Sequence, residues 1–255
     1  MTAAAPRETA WPSPEEAALR HKTATMCRML ALQGLIGMFG HVSIRVPGTN
    51  RVLLTPGAGS DKLSIRAEDI FVFDLGGEIL HHPGTDKPHE IPLEWRIHTQ
   101  IHRDRPEAMC VAHLHARHAV LLGIAGRAIV PVFQHGAFLK SGVPTWNNPR
   151  LVVRDEQAAS LSQALGGSIA AQMRGHGVVV AAKSAEIAFF ACTFLEENAR
   201  KQYEAQAFGG AVPLTEAEAE DCAKGSLNDR LFRLLWEYYA RKADAGTQIA
   251  GPPAL

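Results

Sequence analysis

The spacing of hydrophobic residues changes repeatedly along this chain, and the changes predict both helices and strands. Ser13 and Pro14, followed by two glutamates, form a typical helix start, because serine caps a helix N-terminus and proline fits its first turn. Apolar positions with a helical repeat then continue to Gly34. Alternating apolar and polar residues at 37–55 and 70–80 each enclose a turn, so both stretches predict an antiparallel hairpin.

The rest of the chain switches between helical and strand patterns. We predict helices at 93–103, 116–124, 160–173, 184–208 and 215–241, and strands at 109–115, 129–132 and 177–181. Pro131 marks its strand as an edge strand, because proline cannot donate a ladder hydrogen bond. The order lacks a regular strand–helix–strand rhythm, so we expect a mixed α/β fold with an antiparallel sheet.

Composition and charge narrow the class of function. The 255 residues include 26 Lys and Arg and 26 Asp and Glu, so the formal net charge is zero. A neutral balance argues against a nucleic-acid partner, since phosphate neutralisation needs a basic excess. Apolar stretches are shorter than the roughly 18 residues of a membrane span, and the N-terminus lacks the apolar core of a secretory signal. We therefore expect a cytoplasmic protein with neither a membrane nor a nucleic-acid partner.

The chain length suits a single large domain. We predict a flexible N-terminal arm at 1–14, a catalytic domain at 15–241 and a C-terminal tail at 242–255. The last predicted helix is rich in aromatic residues, including Trp236, Tyr238 and Tyr239. Their simplest role is packing, on their own subunit or on a neighbour.

Two histidines at alternate positions give the sharpest chemical signal. His113 and His115 lie in a predicted strand, where alternate side chains share one face, so both imidazoles can bind one metal ion. Two surface histidines on a polar strand face are the alternative. A catalytic metal commonly has three protein ligands and an open position. His176 is a candidate third ligand between two glycines, although taken alone it is more typical of a turn.

Glu94 follows Pro92 at the start of the helix predicted at 93–103. A glutamate in the first turn usually stabilises the helix dipole. Near a metal ion, the same carboxylate can act as a general acid or base. The sequence leaves both roles open for this residue.

Several segments together resemble one known family. Residues 94–98 (Glu-Trp-Arg-Ile-His), 105–108 (Arg-Pro-Glu-Ala) and 111–115 (Val-Ala-His-Leu-His) are similar to the core signature of the class II aldolase/adducin family. The segments 40–45, 54–56 and 174–177 follow in the family's order and spacing. The resemblance covers about residues 15–208, and the joint pattern is highly specific although each piece alone is weak.

This resemblance implies a fold, a metal site and an assembly. It implies a single α/β/α sandwich around a mostly antiparallel sheet, assembled as a homotetramer with active sites near subunit interfaces. His113, His115 and His176 would bind one divalent metal ion per subunit, and three imidazoles suit Zn, Mn, Fe or Co. Glu94 would be the catalytic acid or base. The metal would stabilise an enolate of the chelated substrate.

Six residues are our candidates for substrate binding. They are Gly40, His41, Ser43, Gly57, Ala58 and Tyr239. The first five lie in or beside glycine turns, and Tyr239 is included because a C-terminal aromatic residue often closes the active site in tetramers of this family. His41 could bond a carboxylate or a hydroxyl group, could add positive charge if protonated, or could simply bond neighbouring backbone.

Two departures separate this chain from the family's sugar-phosphate aldolases. Those enzymes carry an asparagine after the first glycine and a Ser-Ser pair before the catalytic glutamate, and these side chains hold the substrate phosphate. This chain has His41, Pro92 and Leu93 instead, and neither proline nor leucine supplies a donor side chain. Each lost charge-assisted hydrogen bond costs ~1.5–3 kcal/mol, so we expect an unphosphorylated substrate.

The Gly-His-Val-Ser turn at 40–43 resembles the branch that decarboxylates hydroxylated aromatic or hydroxypyridine carboxylates. The resemblance implies a metal-dependent decarboxylase of a small carboxylate such as a dihydroxyphthalate, acting through a metal-stabilised enolate with Glu94 handling the proton. One alternative is a metal-dependent aldolase of an unphosphorylated hydroxy-carbonyl compound, and another is an enzyme using ferrous iron and oxygen. A non-catalytic module like the adducin head is disfavoured, because such heads lack the histidine triad.

Overall fold

The structure is a computed structural model that describes residues 12–83 and 89–245. The strands are β1 (His41–Arg45), β2 (Arg51–Leu54), β3 (Phe71–Asp74), β4 (Ile79–His81), β5 (Cys110–Leu114), β6 (Thr145–Trp146), β7 (Ala170–Met173) and β8 (Gly177–Ala182). They form one sheet in the order β4-β3-β2-β1-β5-β8-β7-β6. Neighbouring strands are antiparallel except β6 and β7, which are parallel.

Helices cover both faces of this sheet. They are α1 (Pro14–Leu32), α2 (Trp95–Asp104), α3 (Arg117–Ile124), α4 (Asp155–Leu165), α5 (Ala185–Glu204), α6 (Glu216–Ser226) and α7 (Asp229–Asp244). Helices α1 and α5 pack on one face, with α7 against both of them, while α2 and α4 pack on the other. The predicted α/β/α sandwich around a mostly antiparallel sheet is therefore confirmed.

Strand alternation decides which side chains face helix α2. Val42 and Ala112 belong to the apolar core beneath α1 and α5. Val111 points the other way and packs with Ile97 of α2. Because side chains alternate along a strand, His113 shares the α2 face with Val111. The β1–β5 register pairs His41 directly with His113, so two imidazoles lie side by side on this face.

Local signals in the first half of the chain predicted the elements well. The Oγ atom of Ser13 accepts a hydrogen bond from the backbone N–H of Glu16, which caps α1 as expected. Strands β1 and β2 form the first predicted hairpin, and β3 and β4 form the second. Helix α2 begins at Trp95, which places Glu94 at the N-cap position and not in the first turn.

Two predictions in the second half were wrong. The segment 160–173 is not one helix: α4 ends at Leu165, its C-cap Gly166 has a φ of 51°, and 170–173 is strand β7. Every residue of β7 is buried, so the alternation that signals a strand is missing from its sequence. The predicted edge strand at 129–132 is also absent, since amide side chains of α5 take its backbone hydrogen bonds. Val132 N–H donates to Asn198 Oδ1 at 2.9 Å and Val130 N–H to Gln202 Oε1 at 3.1 Å.

The C-terminal helical region consists of two helices, α6 and α7, with Asn228 capping the second. Helix α7 runs to Asp244, past the predicted domain boundary at 241, and α1 begins at Pro14, inside the predicted arm. Residues 1–11 and 246–255 of the predicted arm and tail lie outside the described residues, so the domain division stays a prediction. Among the helices of the described residues, none combines the length and the hydrophobicity that spanning a bilayer requires.

Candidate metal centre

Three histidines and one glutamate meet at the C-terminal end of strand β5. One potential ligand atom from each of Glu94, His113, His115 and His176 lies within 4.8 Å of the others. The Nε2 atoms of His113 and His115 are 3.1 Å apart. The ring centroid of His176 lies 5.0 Å from that of His113 and 5.3 Å from that of His115. The structure thus brings all four predicted residues into one cluster.

Backbone pairing carries His176 to this cluster. Strand β8 lies beside β5, with Val178 opposite Leu114, and His176 directly precedes β8 in a tight turn. A Cβ atom on Gly177 would lie 2.3 Å from the carbonyl oxygen of Leu114 and 3.0 Å from Cε1 of His113. Only glycine permits this approach, so Gly177 sets the spacing between the His176 turn and the His113 ring.

Adding a methyl group at Gly177 should therefore disturb the ligand cluster. We expect Gly177→Ala to lower the free energy of unfolding by about 1–3 kcal/mol, the usual cost of overpacking, and to reduce the metal content of the purified protein. Gly167→Ala is a matched control, because a Cβ atom there would meet nothing within 4 Å. Denaturant unfolding and metal analysis of both variants test this. Equal stability and metal content in the two variants would contradict it.

The donor set fits a divalent metal ion. His113 Nδ1 lies 3.2 Å from the carbonyl oxygen of Val178, so Nδ1–H donates to it and Nε2 faces the cluster as a lone pair. Both ring nitrogens of His176 are buried without a hydrogen-bond partner, which is costly unless something ligates them. Burial, together with the neighbouring His113, lowers the pKa of His115 to about 4, which keeps the ring in its neutral, metal-binding form.

Glu94 lies among these imidazoles as an anion. Its Oε1 accepts a hydrogen bond from the backbone N–H of Val152 at 2.8 Å. Its Oε2 lies 3.4 Å from His113 Nε2 and 3.5 Å from His176 Nε2. Burial acts to raise the pKa of Glu94, but the interactions with His113 and His176 outweigh it, and the pKa falls below its usual value. The carboxylate therefore has one anchored oxygen and one oxygen in the cluster.

A cleft of about 540 Å³ opens beside the cluster, part of it open to solvent. It is lined by Phe39, Gly40, His41, Gly57, Ala58, Glu90, Ile91, Pro92, Leu93, Glu94, His115 and Leu151. Four of the six predicted substrate-binding residues are in this lining: Gly40, His41, Gly57 and Ala58. Within residues 12–83 and 89–245, none of the residues that line the cleft is a lysine, arginine, serine or threonine.

The loop that carries Gly57 and Ala58 is held from behind by a buried lysine. Lys62 is 3% exposed, and its ammonium group donates to the carbonyl oxygens of Pro56 and of Gly57, the latter at 2.6 Å. A Cβ atom on Gly57 would lie 2.8 Å from Cα of Pro92, so the loop contacts the segment before Glu94 directly. Sequence reasoning did not find Lys62, because its partners are backbone carbonyls that leave no sequence pattern.

The remaining predicted residues lie outside the cleft lining. Ser43 is fully buried behind His41, and its hydroxyl group bonds His98 and His102. Tyr239 packs against Phe189 at a centroid distance of 5.3 Å, on the α1/α5 side of the sheet. Within one chain, Tyr239 therefore lies on the opposite face of the sheet from His113.

Sequence reasoning gave no role of their own to two histidines of helix α2 near the site. His98 and His102 are both fully buried and face strand β1. A signal was present, because residues four apart share a helix face and Glu94, His98 and His102 are spaced by four. His118 is a separate case: its Nδ1 lies 2.7 Å from Glu196 Oε1, so it hydrogen-bonds a glutamate outside the cluster.

Buried His102 should make the protein sensitive to acid. Burial lowers its pKa from 6.5 to about 4, so between these values the unfolded chain binds more protons than the folded protein. Stability is then present at neutral pH and is lost as the pH falls from 6.5 towards 4. From pH 7.5 to 4.5 we expect His102 to reduce the free energy of unfolding by about 2–3 kcal/mol. Urea unfolding at both pH values should show a weaker pH dependence for His102→Gln, and equal dependence would contradict this.

A mostly antiparallel sheet between two helical layers, with three histidines and a glutamate clustered at the end of a central strand, defines a domain of the class II aldolase type with a candidate metal site. The chain belongs to the class II aldolase/adducin family. Residues 21–203 match the family described as class II aldolase and adducin N-terminal domain. The match covers β1 to β8 and all four cluster residues.

The similar proteins include relatives that carry the name 3,4-dihydroxyphthalate decarboxylase. The protein from Terrabacter sp. (strain DBF63) is 32% identical over 223 residues, covering 81% of this chain and 88% of the relative. The protein from Arthrobacter keyseri is 30% identical over 211 residues, covering 79% of this chain and 84% of the relative. Among solved structures, L-fuculose 1-phosphate aldolase from Glaciozyma antarctica PI12 superposes with a TM-score of 0.80 at 18% identity over 94% of each chain, a likeness of fold.

Proposed function

We propose that this protein is a metal-dependent decarboxylase of a hydroxylated aromatic carboxylate similar to 3,4-dihydroxyphthalate. The observation that carries the proposal is the cleft beside the histidine cluster, because none of the described residues that line it has a lysine, arginine or hydroxyl side chain. A phosphate dianion needs several charged or hydroxyl donors. A flat ring packs on apolar walls, and its adjacent carboxylate and hydroxyl groups would chelate the metal ion that the cluster holds. The relatives named 3,4-dihydroxyphthalate decarboxylase support the same substrate class.

The walls of the cleft suit an aromatic ring. Phe39 stacks on His115 with ring centroids 6.0 Å apart, next to the metal-binding nitrogens. Leu93 is 69% exposed at the cleft and Leu151 is 48% exposed, so both offer apolar surface to a ligand. Pro92 stands before Leu93 and has no backbone N–H with which to bind a phosphate. These contacts support a ring-shaped substrate over a phosphorylated sugar.

In this mechanism the chain's residues bind, orient and exchange a proton. His113, His115 and His176 would hold the divalent ion, which when bound would act as a Lewis acid for the negative charge that develops on the substrate oxygen. Glu94, a carboxylate anchored by the backbone N–H of Val152, would accept the proton of a substrate hydroxyl group and pass it to the ring carbon that bears the carboxylate. The bond from that carbon to the carboxyl group then breaks and CO2 leaves, so one proton replaces one CO2.

Assays of CO2 and aldehyde release test the proposal. The panel is 3,4-dihydroxyphthalate, a hydroxypyridine dicarboxylate, an unphosphorylated hydroxy-carbonyl compound and L-fuculose 1-phosphate. We expect metal-dependent CO2 release from an aromatic carboxylate and no turnover of the sugar phosphate. Aldehyde release from the unphosphorylated compound would favour the aldolase alternative, which uses the same four residues. Preferred turnover of the sugar phosphate would overturn our interpretation of Pro92 and Leu93.

The metal identity and the assembly are also proposals. We propose one Zn, Mn, Fe or Co ion per subunit, which elemental analysis after gentle purification would identify. We propose a cytoplasmic homotetramer with active sites near subunit interfaces. Met38 and Phe39 support it, because they are 59% and 56% exposed beside the cleft and offer an apolar surface to a neighbouring copy. Light scattering of the purified protein measures the assembly, and a monomer would contradict it.

A further inference from the structure

A buried hydrogen-bond network of polar side chains, the His41 network, runs from His41 away from the cleft. His41 Nδ1 is 2.6 Å from His98 Nε2, and His98 Nδ1 is 2.7 Å from Ser43 Oγ. Ser43 Oγ is 2.8 Å from His102 Nε2, and His102 Nδ1 is 2.8 Å from the carbonyl oxygen of Ala108. All four side chains are buried, His41 at 5% exposure and the other three at 0%. The His41 network links the cleft to the loop after α2 through four consecutive hydrogen bonds.

The end of the His41 network at Ala108 sets the direction of every hydrogen bond in it. The carbonyl oxygen of Ala108 can only accept, so the proton of His102 is on Nδ1. Burial lowers the pKa of His102 to about 4, so the ring is neutral and its Nε2 accepts from the Ser43 hydroxyl. That hydroxyl has one proton, so Ser43 Oγ must accept from Nδ1–H of His98.

The last two links follow from the same count of protons. A neutral His98 with its proton on Nδ1 has a lone pair on Nε2, which accepts from Nδ1–H of His41. A neutral His41 then has its lone pair on Nε2. His41 lines the cleft, and its Nδ1 makes its hydrogen bond to His98 within the His41 network. Its Nε2 is therefore the ring nitrogen left for a ligand. A lone pair accepts from a hydroxyl group, and it repels a carboxylate or an ether oxygen.

We propose that His98, Ser43 and His102 are positioning residues that hold His41 as a hydrogen-bond acceptor for a substrate hydroxyl group. The His41 ring lies 5.2 Å from the ring of His113, a predicted metal ligand. The hydroxyl group that it binds is therefore a second one, adjacent to the oxygen that chelates the metal. This inference rests on the proposed function, and it restricts the substrate to an aromatic carboxylate with two neighbouring hydroxyl groups.

Binding measurements on the zinc-loaded protein separate this inference from the proposed function. The probes are 2,3-dihydroxybenzoate, 2-hydroxy-3-methoxybenzoate and salicylate, which share the chelating carboxylate and hydroxyl pair. We expect the dihydroxy compound to bind at least tenfold more tightly than the methoxy compound. In Ser43→Ala the His41 proton is free to move to Nε2, so this ratio should fall below about threefold while the affinity for salicylate changes little. Ser162→Ala, which removes another buried serine hydroxyl, should keep the wild-type ratio.

A purely steric preference against the methoxy group would survive in Ser43→Ala, and an unchanged ratio would overturn the inference. Failure of all three probes to bind would instead count against the proposed function. Long-range ¹H–¹⁵N correlation spectra of histidine side chains in the zinc-loaded wild type give a second readout, independent of the binding measurements. With His41 assigned by loss of its signals in His41→Gln, we expect its proton on Nδ1. A proton on Nε2 of His41 would overturn the inference whatever the binding data show.

Discussion

Replacing His113 with alanine should remove the bound metal ion and the turnover together. The side chain is fully buried, and its Nε2 faces the cluster because Nδ1 is engaged with the carbonyl oxygen of Val178. Loss of one of three imidazoles leaves two, too few for a catalytic site with three protein ligands. We expect less than a tenth of the wild-type metal per subunit by elemental analysis after gentle purification, and no measurable CO2 release.

Two further variants separate loss of the metal from loss of the fold. His113→Ala opens a cavity between sheet and helix α2, so its stability also falls. His115→Ala removes a less buried ligand at the end of the same strand and should lose the metal with less change in unfolding. His118→Ala is the matched control, since His118 pairs with Glu196 outside the cluster. A metal-loaded, active His115→Ala protein would exclude the three-histidine site.

Elements with local signals were predictable from the sequence, and elements defined by their surroundings were not. The capping Ser13 and the turn residues of the two hairpins act within a few positions of themselves, so they can be recognised one at a time. Strand β7 is buried on both faces between β8 and β6, which removes the alternation that identifies a strand. The segment at 129–132 has strand-like residues, but Asn198 and Gln202 of α5 supply its hydrogen bonds in place of a neighbouring strand.

The residues of the candidate site also differ in how far the sequence alone predicts them. The pair His113 and His115 follows from strand alternation, whereas His176 and Glu94 were assigned through the resemblance to the family. Their convergence depends on the pairing of β5 with β8 and on the docking of α2, which are long-range features. The sequence did not predict the His41 network for the same reason. Its members come from β1 and α2, and only their packing gives the buried side chains of Ser43, His98 and His102 their partners.

Glu94→Gln should keep the metal and lose most of the turnover. Glutamine has the same shape, and its amide oxygen can still accept from the Val152 N–H, so the three histidines should keep their positions. The substitution removes the only group of the residue that exchanges a proton near neutral pH. Loss of general acid–base catalysis costs about 10²–10⁴-fold, so we expect a fall of this size in kcat at nearly unchanged metal content.

The outcome distinguishes two roles that the geometry of Glu94 allows, since its second oxygen lies close enough to the histidines to act as a metal ligand itself. A variant that loses both metal and activity would make Glu94 mainly a ligand, because an amide oxygen binds a divalent ion more weakly than a carboxylate. A variant that keeps metal and full activity would exclude Glu94 as the proton carrier. Glu107→Gln neutralises a carboxylate that pairs with Arg105 at the surface and should behave as wild type, which controls for the loss of one negative charge. A Glu94→Gln protein that keeps its metal but has a low kcat would assign the proton transfer to Glu94. Measuring kcat and metal content on the same sample decides among these outcomes.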